Sequence, residues 1–163
     1  MTSSNRPRRA LALGLAATVA ATAIAIPAAD AKKKTVKPQP NSAYASSIAA
    51  KRGFAVIVLS KGKIVSGTIR AKFKDADGKV CRQEGITLES GVTQLDYTIG
   101  KPKKPKDNGK YSVKGTVYNQ PSDTATFSGK FASSTKTSIV VKAKWMGCKT
   151  GKVVFKKAVP TAG

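Results

Sequence analysis

Residues 137–155, TSIVVKAKWMGCKTGKVVF, carry the clearest fold signal in the chain. Ile139, Val141, Ala143 and Trp145 lie two apart and point to one face of an extended strand, while Lys142 and Lys144 point to the other. Gly147-Cys148-Lys149-Thr150-Gly151 then forms a turn carrying one of two cysteines, and 153–155 is a second apolar run. The pattern predicts the closing hairpin of a β domain, with Trp145 inside and both lysines in solvent.

The same period of two recurs upstream. Residues 54–59, FAVIVL, are apolar at both parities, as a central or doubly covered strand would be. After the turn Lys61-Gly62-Lys63, the segment 64–73 alternates, with Val65, Gly67, Ile69, Ala71 and Phe73 on the apolar face. Asp75-Ala76-Asp77-Gly78 is a turn signal, Val80-Cys81 opens a short strand or loop, and Ile86 with Leu88 predicts a further brief strand. Alternation returns at Leu95, Tyr97 and Ile99, at Tyr111, Val113, Gly115 and Val117, and at Phe127, Gly129 and Phe131. Between the first two of these sets, 100–109, GKPKKPKDNG, reads as a loop too polar to bury. Strands and turns at this spacing predict an all-β fold, an antiparallel β-sandwich or small closed barrel of about seven or eight strands.

The N-terminus reads as a targeting segment over 1–31. Arg6, Arg8 and Arg9 precede an Ala-rich apolar run, Pro27 breaks it, and Ala29-Asp30-Ala31 is a small-x-small cleavage site. A basic leader over 32–53 follows, flexible or extended in KKKTVKPQ and, over 41–52, either a short helix, with Tyr44 and Ile48 four apart, or a serine-rich flexible tether. The β domain is expected over 54–159 and a tail over 160–163. Cleavage would leave a secreted or envelope-associated protein with no stable membrane insertion.

Export places Cys81 and Cys148 in an oxidising compartment, where two cysteines permit a single intramolecular disulfide. Neither belongs to a Cys-x-x-Cys pair, so a structural bridge is expected rather than redox chemistry. The net charge of the whole chain is +22. Cleavage removes three arginines and one aspartate, which leaves +20. Such an excess predicts attraction to polyanions.

The closing pattern from Gly147 to Phe155, with Phe127-Ser128-Gly129-Lys130-Phe131 and Cys81 before it, resembles uncharacterised small exported β domains of actinobacteria. The resemblance implies a disulfide-linked β-sandwich, no established activity, and no functional residue beyond the two cysteines.

Absent residue types narrow the chemistry. The chain has no histidine, which removes the usual general base, the Ser-His and Cys-His nucleophile pairs and His-containing zinc sites. Two cysteines alone cannot complete a tetrahedral zinc site. Asp75-x-Asp77-Gly78 lacks the later ligands of a calcium loop, and 147–152 lacks the spacing and the hydroxyl residue of a phosphate loop. The acids of the mature chain, Asp75, Asp77, Glu84, Glu89, Asp96, Asp107 and Asp123, fall mostly in turns or on polar strand faces. A carboxylate-dependent hydrolase is therefore the less favoured reading, and no enzyme activity, metal or cofactor is expected.

The basic surface has the widest functional reach. Arg70, Lys72, Lys74, Lys114, Lys130, Lys142 and Lys144 are expected on outward strand faces, and Lys101, Lys103, Lys104 and Lys106 crowd one loop. Lysines also protect exposed strand edges, so part of this charge needs no ligand. The expected partners are anionic envelope polymers or acidic glycans. Nucleic acid would bind only non-specifically, because Tyr118 is the main outward aromatic and stacking platforms are wanting. A small-ligand carrier within a closed barrel is the alternative.

Overall fold

The computed structural model describes residues 35–48 and 53–161; the expected signal peptide and the first leader residues lie outside them. Among the described residues the alternation read from the sequence is realised as nine strands: β1 (Ser42–Ile48), β2 (Gly53–Ser60), β3 (Lys63–Ala71), β4 (Thr93–Lys103), β5 (Lys110–Val117), β6 (Gln120–Ser133), β7 (Lys136–Trp145), β8 (Cys148–Lys149) and β9 (Val153–Thr161). The fold is all-β, a single antiparallel sheet. Each strand from β1 to β7 pairs with the next, β9 pairs with both β7 and β1, and the short β8 adds to β7. The pairing thus returns to its start. It is not a clean barrel, because β4 and β5 share only the in-register pair Thr98↔Thr116, and β1 meets β9 only through Ala43, Tyr44 and Ala45.

Inward residues fill the space between the walls. Ile139, Val141, Ala143 and Trp145 of β7 are buried as their spacing predicts, and Lys142 and Lys144 are exposed. Aromatic rings meet edge-on at Tyr44–Phe131, Phe73–Trp145 and Tyr97–Phe127, with centroids 5.0, 5.5 and 5.8 Å apart. Such pairs add about 0.5–1.5 kcal/mol each beyond the area they bury. Gly67 lies directly under the Phe127 ring, where an added Cβ would stand 2.6 Å from the nearest ring atom.

Several elements differ from the sequence expectation. The segment 42–48 is a strand, not part of a helix: four residues is a whole number of strand periods, so Tyr44 and Ile48 share a face either way. The end of the expected leader is also fixed in place. Val36 N–H donates to the Asp107 carbonyl at 3.1 Å, and Gln39 N–H to the Tyr44 hydroxyl at 3.0 Å. On β3 the buried residue is Ile64 rather than Val65, because a bulge facing Val58 and Leu59 resets the parity. The strand β4 runs on through Lys101 and Pro102 to Lys103, which faces Ile64, so only the later part of 100–109 is loop. Ile86 and Leu88 are exposed and outside any strand, and β9 takes in Pro160 and Thr161 of the expected tail. Val56 and Val58 of β2 are partly exposed, so that strand is covered fully on one side only.

Candidate anion-binding site

The turn between β7 and β8 organises one end of the sheet. Met146 and Gly147 both have left-handed backbone, φ 49° and 81°, as a two-residue type I′ hairpin turn requires. The turn sets Cys148 opposite Trp145, and Cys148 is disulfide-bonded to Cys81. The bridge draws the segment after β3 alongside β8. Lys74 and Lys149 exchange backbone hydrogen bonds at 2.9 and 2.8 Å, and Cys81 N–H donates to the Phe73 carbonyl at 2.9 Å.

A cleft of about 600 Å³ opens beside this assembly. Its origin is the pairing gap: β9 holds β1 as far as Ala45 and holds β7 through Val153, Val154 and Phe155, so Ile48 and Gly53 face Val153 and Val154 across an opening. Arg70, Lys72, Lys74 and Lys152 line the same cleft. The Arg70 Nε is buried and has no hydrogen-bond partner among the described residues. A buried donor left unmet costs on the order of 1–3 kcal/mol, and more on a charged group. Thr150, also on the lining, is already engaged: its hydroxyl accepts the Ala143 N–H at 3.0 Å and donates to the Gly151 carbonyl at 2.9 Å.

A shallower depression of about 420 Å³ adjoins it, with Lys142, Lys144 and Lys149 around Thr124 and Ala143. Lys152 lines both, so the two form one basic band at the disulfide end. Of the lysines and arginine expected to meet a polyanion, Arg70, Lys72, Lys142 and Lys144 fall on this band. The others stand elsewhere. Lys114 is exposed on β5 opposite Thr126, while Lys101, Lys103, Lys104 and Lys106 are exposed along the far end of β4 and the loop after it. Lys130 borders a separate groove of about 840 Å³, with Lys136, Lys156 and Lys157 over Val36, Phe131 and Val159. A bulge in β9 turns Lys156 and Lys157 outward together, since Phe155 and Ala158 face Ile139 and Thr137. Sequence reasoning misses Lys149 and Lys152 and places Lys74 on an outward face without assigning it to the contact. Their proximity to Cys148, and that of Lys74 to Cys81, was the available signal.

Three of the acids serve the fold. Asp123 is buried and its Oδ1 accepts the Met146 N–H at 2.9 Å. Asp75 Oδ1 accepts the N–H groups of Asp77 and Lys79 at 3.0 and 2.8 Å, closing the predicted turn, and Asp96 accepts from the Thr68 hydroxyl. Burial pushes the Tyr97 phenol well above its ordinary range, and the Asp123 charge adds to the shift. Among the described residues, no three His, Cys, Asp or Glu side chains gather as a metal-binding group, and no helix is long and apolar enough to cross a membrane.

No family model matches the chain, and neither a curated protein nor a solved structure matches it.

Proposed function

We propose that this chain is an exported, non-enzymatic binding module that holds anionic polymers of the cell envelope or its surroundings. The observation that carries this reading is the basic band, where Arg70, Lys72, Lys74 and Lys152 adjoin Lys142, Lys144 and Lys149. The charge excess of the whole chain supports it, and so does the signal-like N-terminus. The disulfide is compatible with an oxidising location. The lysine-dominated surface suits sequence-independent attraction to phosphate- or carboxylate-bearing polymers better than bidentate reading of bases. The aromatic side chains packed between the walls, among them Tyr44, Phe127, Phe131, Trp145 and Phe155, give the carrier alternative little interior room.

The test is binding to polyphosphate, a polyuronate and DNA across a salt series. Affinity should fall steeply as salt rises, and a flat response would overturn the reading. Replacing Lys142, Lys144 and Lys152 by Gln should weaken binding more than replacing Lys101, Lys103 and Lys104. Equal loss from the two sets would remove the band as the contact surface.

A further inference from the structure

We propose that the Arg70 cleft is a discrete subsite for a single phosphate ester, an inference that rests on the polyanion reading and narrows it. Arg70 lines the cleft, and its Nε has no acceptor among the described residues. A guanidinium offers parallel N–H donors that match two oxygens of one phosphate, whereas ammonium groups add charge without direction. Lys72, Lys74 and Lys152 supply that charge on the same cleft. Four cations suit a group able to carry up to about two negative charges better than they suit a lone carboxylate.

Ile48, Val153 and Val154 add apolar surface to the lining of a space of about 600 Å³, far more than a bare phosphate fills. The volume and the wall fit an ester whose organic part is of sugar or polyol size, with its C–H groups against the valines. The in-register pairing of β1 with β9 stops at Ala45. The same ester chemistry occurs in a free phosphomonoester and in a phosphodiester repeat of a polymer.

The deciding experiment follows the Arg70 Nε–Hε signal by NMR in the folded protein. Glycerol 3-phosphate, a glycerol phosphodiester oligomer, inorganic phosphate and acetate are added in turn. The signal should move and saturate at one equivalent site, with an organic phosphate bound at least about tenfold more tightly than acetate. In calorimetric titrations with glycerol 3-phosphate, Arg70→Gln should abolish saturable binding and Arg70→Lys restore part of it, while Lys114→Gln, on β5 away from the cleft, changes affinity by less than about twofold. Preference for the monoester or for the oligomer identifies the source of the ester, and either supports the subsite. An Arg70 signal that does not move, or saturation unchanged in Arg70→Gln, overturns it. Should Arg70→Gln fail to fold, the titration of the unaltered protein still decides. If polymers bind with salt dependence while Arg70 is silent, the subsite falls and the polyanion reading stands. If the ester saturates at Arg70 and no polymer binds, the reverse holds.

Discussion

The carboxylate of Asp123 on β6 accepts the backbone N–H of Met146 at 2.9 Å, tying the tip of the β7–β8 hairpin to a different strand. Met146 is a non-glycine residue at φ 49°, a conformation that costs roughly 1–2 kcal/mol, and the bond offsets part of that strain. Asp123→Ala should destabilise the fold by about 1–3 kcal/mol, because it leaves the Met146 N–H without its acceptor. Asp123→Asn keeps an oxygen in place and should lose less. Urea unfolding of both variants checks the difference, and equal loss would deny the bond its role.

Gly67 and Phe127 predict the effect of adding volume. The ring occupies the space where a β3 side chain would begin, and it is itself fully buried, so it has little freedom to retreat. Gly67→Ala should cost about 1–3 kcal/mol by overpacking, and Gly67→Val more. Pairing Gly67→Ala with Phe127→Leu should recover stability relative to the sum of the single changes. A simple sum in a double-mutant cycle would sink the account.

The Cys81–Cys148 bond spans 67 residues, for which the chain-entropy model gives about 4 kcal/mol. Reduction should lower the unfolding free energy by an amount of that order, and the denaturation midpoint with it. It should also weaken polyanion binding, because Lys74 and Lys149 would be held together only by their backbone bonds. Denaturant titration and binding assays with and without dithiothreitol read the two effects. Full polymer affinity in a reduced but folded protein would separate the bridge from the basic band.

Tyr97 and Tyr111 predict behaviour at high pH. Burial pushes both phenols far above their ordinary value, against which the Thr137 hydroxyl acts weakly at Tyr111. The folded state therefore keeps both protons where the unfolded chain gives them up. Their stabilising contribution is complete below about pH 10 and is lost progressively as pH rises beyond it. Ultraviolet absorbance should show these phenolates appearing together with loss of the far-ultraviolet sheet signal. Ionisation of both in an intact sheet would contradict their burial.

The strand interiors were legible because a single period of two carries them, and the parity of Ile139 to Trp145, of Leu95 to Ile99 and of Tyr111 to Val113 is that of the structure. What failed did so where that period is ambiguous or interrupted. Tyr44 and Ile48 satisfy a helix and a strand alike, and the bulge beside Val65 moves Ile64 into the core without any mark in the local sequence. The basic band was half legible. Arg70, Lys72, Lys74, Lys142 and Lys144 face outward by parity, but their joining with Lys149 and Lys152 depends on the bridge and on a pairing gap between strands far apart in the chain.

The hold of β9 on β1 has a temporal side. Ala43 is in register with Thr161, so the first described strand gains its outer neighbour only when the last has arrived. A chain that emerges N-terminus first can form the hairpins from β1 to β7 as it appears, yet its sheet stays open until residue 161 is free. Contacts of such wide sequence separation form slowly. The open interval leaves β1 with one bare edge, and the serine-rich sequence SAYASSI, with few large apolar side chains, makes that edge a poor template for association with another chain while it waits.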